Sequence, residues 1–138
     1  MIDHIDKLII EELSQNSRMT MKKLGEKVHL TGQAAASRVL KLEESGIIEK
    51  YTLQVNQAKL NCLVHAFITV KLTNPYHQSF LSFIKNEAHY VLNNYKVSGD
   101  GCYLLECRFP SNEVLDQFLV RLNEHANYNL SIVINKQK

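Results

Sequence analysis

Gln33, Ala34, Ser37, Arg38 and Lys41, just after Thr31, recur at spacings of three and four residues, so on a helix most of them share one face. That face would present hydroxyl, amide, guanidinium and ammonium groups, which donate to base edges and phosphate oxygens of duplex nucleic acid. The small side chains of Ala34, Ala35 and Ala36 would let the helix backbone approach a groove wall closely. Upstream, Arg18, Lys22, Lys23 and Lys27 add four cations, and between Arg18 and Lys41 the only acid is Glu26. Such a local basic face suits phosphate contact. It is equally the composition of a solvated helix surface, so charge alone does not decide. The whole chain carries only +2 over 138 residues, too little to demand a polyanionic partner.

Other chemistry is thin. His4, His29, His65, His77, His89 and His125 include no i, i+4 pair and no acid at ligand spacing, and read as structural or solvent-facing. No glycine-rich phosphate loop, nucleophile elbow or spaced carboxylate pair is present. The sequence therefore predicts no catalytic residues, no metal, no cofactor and no enzyme. Cys62, Cys102 and Cys107 form no CxxC pair, and an odd count without metal spacing predicts reduced thiols. Asp3 and Asp6 interrupt any leader-like apolar stretch, and no run approaches the about 18 apolar residues of a membrane span. A cytoplasmic, nucleoid-associated protein is expected.

The elements that would position these groups follow from periodicity. Ile5, Leu8, Ile9 and Leu13 predict a helix over residues 3–14, with Asp3 and Asp6 near its positive end. Thr20 caps a short second helix with Met21, Leu24 and Val28 on one face, ending near His29. Thr31 caps a third, which buries Ala35, Val39 and Leu42 and stops at Gly46. Three short helices, the last two closely joined, make a helix-turn-helix unit. The partial alternation over Ile47–Val55 predicts a wing strand, and the polar stretch Asn56–Asn61 a hinge.

The second half changes rhythm. Strands are expected over Val64–Leu72, Val91–Val97, Cys102–Phe109 and Leu130–Ile134, with a turn at Ser98–Gly101. One helix is expected after Asn74-Pro75, with Phe80, Phe83 and Ile84 on a face. A second is capped by Ser111 and carries Val114, Leu115, Phe118, Leu119 and Leu122. The order βαββαβ implies a four-stranded antiparallel sheet with two helices on one side. The fold class is α+β: a winged helix-turn-helix with three helices and a wing strand over residues 1–52, a linker over 53–62, and a ferredoxin-like domain over 63–138.

With these elements placed, the residues carry a family resemblance. Asp3 through Leu13, then Ser17-Arg18-Met19-Thr20 and Leu24, resemble the opening of the Lrp/AsnC (leucine-responsive regulatory protein/asparagine synthase regulator) family of feast/famine regulators. Leu30-Thr31, Arg38-Val39, Leu42-Glu43, Ser45-Gly46-Ile47-Ile48 and Tyr51-Thr52 continue the likeness in register, as does Ser98-Gly99-Asp100 before a strand. The resemblance implies a transcriptional regulator that binds double-stranded DNA. It also implies a homodimer, or an octamer, built through the C-terminal domain, with an amino-acid effector near the Gly-Asp turn. Carried over, the effector residues would be Gly99, Asp100, Gly101 and Cys102. Members that bind amino acids commonly read Gly-Asp-aromatic-Asp-Tyr, whereas this chain reads Gly99-Asp100-Gly101-Cys102-Tyr103. A thiol supplies neither the charge nor the acceptor strength of the second carboxylate. The alternative is an architectural protein of the same fold that bends or wraps DNA with weak sequence choice and no effector.

Overall fold

A computed structural model describes residues 1–99 and 101–138. The chain divides into two compact units, Met1–Gln54 and Val55–Lys138.

The first unit is three helices: α1 (His4–Gln15), α2 (Met21–Val28) and α3 (Gly32–Glu44). Each begins where a side-chain oxygen can take an orphan backbone N–H. The amide of Asp6 donates to Asp3 Oδ1 at 2.9 Å and the amide of Asp3 to Asp6 Oδ2 at 3.2 Å, a reciprocal cap on α1. Thr20 Oγ1 accepts from the Lys23 amide at 3.1 Å, and Thr31 Oγ1 from the Ala34 amide at 3.0 Å. The helix α3 ends at Glu44, and Gly46 takes φ 78°. Ile9, Leu13, Leu24, Val28, Ala35, Val39 and Leu42 form the core of the unit.

The strand expected over Ile47–Val55 is not formed. Only turn and irregular backbone follow α3, and Tyr51, Leu53 and Val55 are exposed. Alternation alone cannot make a strand where no neighbouring backbone offers a ladder, and this unit contains no other strand. The stretch expected as a hinge holds a 3₁₀ turn, Gln57–Leu60, opened by Asn56 accepting from the Lys59 amide at 3.2 Å.

The second unit runs β1 (Val64–Lys71), α4 (Gln78–Asn86), β2 (Val91–Lys96), β3 (Tyr103–Phe109), α5 (Asn112–Leu122) and β4 (Asn127–Ile132). The strands make one sheet in the order β2-β3-β1-β4, all pairs antiparallel. The period of two sends Ala66, Ile68 and Val70 of β1, and Tyr103, Leu105, Cys107 and Phe109 of β3, to one buried face. There they meet Phe80, Phe83 and Ile84 of α4 and Leu115, Phe118, Leu119 and Leu122 of α5 in a single core. The ferredoxin-like arrangement expected from the sequence is the one observed.

Several boundaries differ from expectation, β1 and β2 ending one residue early, at Lys71 and Lys96. Helix α4 starts at Gln78, because Asn74 Oδ1 accepts from the Tyr76 amide at 2.9 Å and holds a turn after Pro75. Strand β3 starts at Tyr103, one residue after Cys102. Strand β4 begins at Asn127 and stops at Ile132. Its polar start is held by pairing Asn127 with Lys71 and Tyr128 with Val70, a long-range ladder that overrides weak local propensity.

Candidate nucleic-acid interface

The connection from α2 to α3 is as tight as a helix-turn-helix needs. His29 takes the left-handed conformation at φ 60°, and the Leu30 amide donates to the Gly25 carbonyl at 2.8 Å. A Cβ on Gly25 would lie 2.5 Å from the Leu30 carbonyl oxygen and 2.9 Å from the Thr31 carbonyl carbon. Only glycine fits where α2 passes the turn. The Gly32 backbone in turn begins α3 beside Lys22, which brings the first turns of α2 and α3 together.

On α3, Ala35, Val39 and Leu42 are buried, while Thr31, Gln33, Ser37 and Lys41 are exposed and Ala34 is half-buried. The outer face therefore carries hydroxyl, amide and ammonium groups around a small-residue patch. Arg18, Lys22, Lys23 and Lys27 are exposed as well. Lys23 lies 3.9 Å from Glu26, and Lys27 lies 3.7 Å from Glu12 of α1. Exposed pairs of that length are weak, about 0–1 kcal/mol, and do not withhold the cations from a phosphate.

Arg38 is placed otherwise. Its guanidinium does not stand free beside Gln33 and Ser37. One terminal nitrogen donates to both Asp3 oxygens, at 2.8 and 2.7 Å, and to Asp6 Oδ1 at 3.1 Å. The Asp6 side chain is only 14% exposed and that of Arg38 30%. The hydrogen bond from Arg38 foremost, and then the Asp6 amide, hold the Asp3 carboxyl below its usual range. A depressed carboxyl contributes above its unfolded pKa and loses that contribution as pH falls through the lowered value, so the cluster is intact at neutral pH. Nothing local in the sequence marks this pairing, which spans 35 residues.

In the second unit, Gly101 and Cys102 of the expected effector site lie against β1. Gly99 takes φ 104°, and Asp100 lies outside the described residues. A Cβ on Gly101 would come within 2.6 Å of Thr69 Cγ2 and 3.0 Å of the Val70 carbonyl oxygen. The Cys102 amide donates to that same oxygen at 2.8 Å, and its Sγ sits 3.8 Å from the Leu72 carbonyl. The thiol thus turns toward the end of β1. Burial pushes the Cys107 thiol up to about 12, so it stays protonated at neutral pH.

Several polar pairs of this unit escaped the sequence reading. His65 Nε2 meets Glu106 Oε2 at 2.7 Å, while Asn93 donates to the other Glu106 oxygen at 2.9 Å. Burial, the largest single influence, would raise the Glu106 pKa, but these two bonds together with the nearby charge of Arg108 hold the carboxyl low. Ser79 Oγ and His125 Nδ1 are 2.7 Å apart, and His77 Nδ1 and the Tyr103 hydroxyl 3.1 Å. Among the described residues, no three metal-ligating side chains gather, and no helix is long and apolar enough to cross a membrane.

Comparison with known proteins bears on both units. Residues 2–49 match the winged helix-turn-helix DNA-binding family, and residues 65–138 match the Lrp/AsnC ligand binding domain. The chain belongs to the Lrp/AsnC family. The HTH-type transcriptional regulator LrpA of Bacillus subtilis is 64% identical over 136 residues, which cover 99% of this chain and 100% of the relative. The solved structure of B. subtilis LrpC superposes with a TM-score of 0.93 at 31% identity, covering 100% of this chain and 98% of that one. A transcriptional regulator from Neisseria meningitidis, solved as its L-Met complex, gives a TM-score of 0.90 at 25% identity and covers 100% and 93% of the two chains. This Lrp/AsnC-family chain is thus a DNA-binding transcriptional regulator with an N-terminal helix-turn-helix.

Proposed function

We propose that this Lrp/AsnC-family regulator reads duplex DNA by laying α3 in the major groove, with Gln33, Ala34, Ser37 and Lys41 toward base edges. In such a unit the second helix crosses the backbone. Arg18, Lys22, Lys23 and Lys27 then meet phosphates, joined by Thr31 at the start of α3. The observation that carries the reading is the division of α3, with its apolar side sealed in the core and its donor side open. Residues 1–52 act as the DNA-binding domain, 53–62 as linker, and 63–138 as the assembly and effector domain, in a cytoplasmic protein bound to the nucleoid. A single small helix-turn-helix reads few base pairs, so the working form is a homodimer or larger assembly that engages paired half-sites.

Gel shifts on an operator obtained by selection, and on random duplexes, test this. Gln33→Ala should lower operator affinity by about tenfold and leave random-duplex affinity nearly unchanged. Lys22→Ala should weaken both about equally and reduce the salt slope by about one unit per protomer. Equal shifts by both variants and the parent on every duplex would remove α3 from the interface. A steep salt slope without sequence preference in the parent would favour the architectural reading instead.

The effector reading rests on Gly99, Asp100, Gly101 and Cys102. The relative from N. meningitidis is solved as an L-Met complex, which supports an amino-acid effector in this family. Here Gly101 leaves no room for a larger side chain without moving Thr69, and Cys102 offers no carboxylate to pair with an ammonium group. Leucine at millimolar concentration is therefore expected to leave the melting temperature of the chain unchanged. A melting temperature that climbs with leucine concentration would establish an amino-acid site despite Cys102.

A further inference from the structure

The Asp3–Arg38–Asp6 cluster is more than a surface ion pair. Asp3 does two tasks with one carboxylate: it caps α1 through the Asp6 amide and grips Arg38 from the middle of α3. Asp6 completes the reciprocal cap and takes a third bond from the same guanidinium nitrogen. The start of α1 is thereby tied to the donor side of α3, not to its apolar side. The tie stands beside an open concavity of about 500 Å³ whose lining includes Ala34, Ser37, Arg38 and Lys41. Two carboxylates at the edge of a surface meant for phosphates work against affinity unless they have another use, because like charges repel at this range.

Resting on the DNA-reading proposal above, we infer that Arg38 is a positioning residue: Asp3 and Asp6 hold its guanidinium as a clamp that fixes the rotation and depth of α3, so that Gln33, Ser37 and Lys41 present together. Arg38 commits Nη1 to the two acids inside the unit and, as a positioning residue, makes no contact that distinguishes bases. The clamp carries a net charge of about −1, two carboxylates around one guanidinium, and so adds no attraction to phosphates. Its contribution is therefore geometric, and it shows in sequence preference rather than in general attraction to DNA.

Two variants probe the clamp from opposite sides of the ion pair. Arg38→Ala removes the cation, and Asp3→Asn with Asp6→Asn removes both anions while restoring positive charge to the surface. If the acids only restrained an Arg38 poised to read DNA, the double asparagine variant would keep or raise the parent's ratio of operator to random-duplex affinity. The clamp predicts the reverse sign: both variants lose about tenfold in the ratio of operator to random-duplex affinity, with the salt slope unchanged for Arg38→Ala. Asp3→Glu keeps the charge and should retain most of the ratio. Circular dichroism at the assay temperature establishes that each variant is folded, so that loss of the ratio is not loss of protein.

Three results overturn the inference: a ratio in the double asparagine variant equal to or above the parent's, a salt slope lowered by about one unit in Arg38→Ala, or a ratio in Arg38→Ala equal to the parent's. A parent chain with no preference among duplexes fails the DNA-reading proposal, and the clamp with it. A parent with a preference that every variant keeps fails the clamp alone.

Discussion

Gly25→Ala should unfold most of the N-terminal unit at physiological temperature and abolish DNA binding. The added methyl carbon would sit 2.5 Å from the Leu30 carbonyl oxygen and 2.9 Å from both carbonyl atoms of Thr31. These are backbone atoms, and no side chain can swing aside to relieve them. Relief requires α2 to back away from the turn, which pulls Leu24 and Val28 out of a core of seven buried residues. Overpacking of this kind costs about 3 kcal/mol, and a unit of this size has only a few kcal/mol in hand. Far-UV circular dichroism should show an early melting phase, and gel shifts should show no complex at the parent's working concentration. A melting curve superimposable on the parent's would mean that the α2–α3 turn is looser than described.

The other large effect belongs to the second unit. Phe118 is fully buried, with ring centroids 5.1 Å from Phe109, 5.6 Å from Phe83 and 6.4 Å from Tyr90. It joins α4, α5 and β3 in one core. Phe118→Ala leaves a cavity that neighbouring rings cannot fill without leaving their own positions, a loss of about 3–5 kcal/mol. Equilibrium denaturation should show a midpoint shifted down by most of the stability of the unit. Sedimentation should show loss of the assembled species, because the proposed assembly surface is built on this sheet. The helix-turn-helix retains its own core, so weak, salt-sensitive DNA binding should persist while operator preference falls. A denaturation midpoint within error of the parent's would refute the packing described for this core.

These two sites also show what the sequence discloses. Thr20, Thr31 and Ser111 mark helix starts because a capping oxygen serves the backbone two or three residues on, which is local information. The buried stripes of α3 and α5 and the alternating faces of β1 and β3 follow from period alone. What failed depends on partners distant in sequence. The run after Gly46 alternates like a strand but has no ladder to join, whereas Asn127-Tyr128-Asn129 looks like loop and is a strand because Val70 and Thr69 pair with it.

The interface divides in the same way. Exposure of Gln33, Ser37 and Lys41 was legible from the burial of Ala35, Val39 and Leu42. The capture of Arg38 by Asp3 and Asp6 was not, because a guanidinium on a helix surface looks the same in sequence whether it faces DNA or an acid of another helix. Close approach at Gly25 was likewise invisible, since a mid-helix glycine reads only as a weak point until the turn it faces is known.

Selection of bound duplexes from a random pool by the purified chain, repeated at two salt concentrations, tests the central claim most directly. The account predicts enrichment of a two-fold related pair of half-sites about one helical turn apart. Those duplexes should be held at least about a thousandfold more tightly than the unselected pool. Recovery of a pool with no enriched sequence, at a salt concentration where the chain still binds DNA, would contradict it.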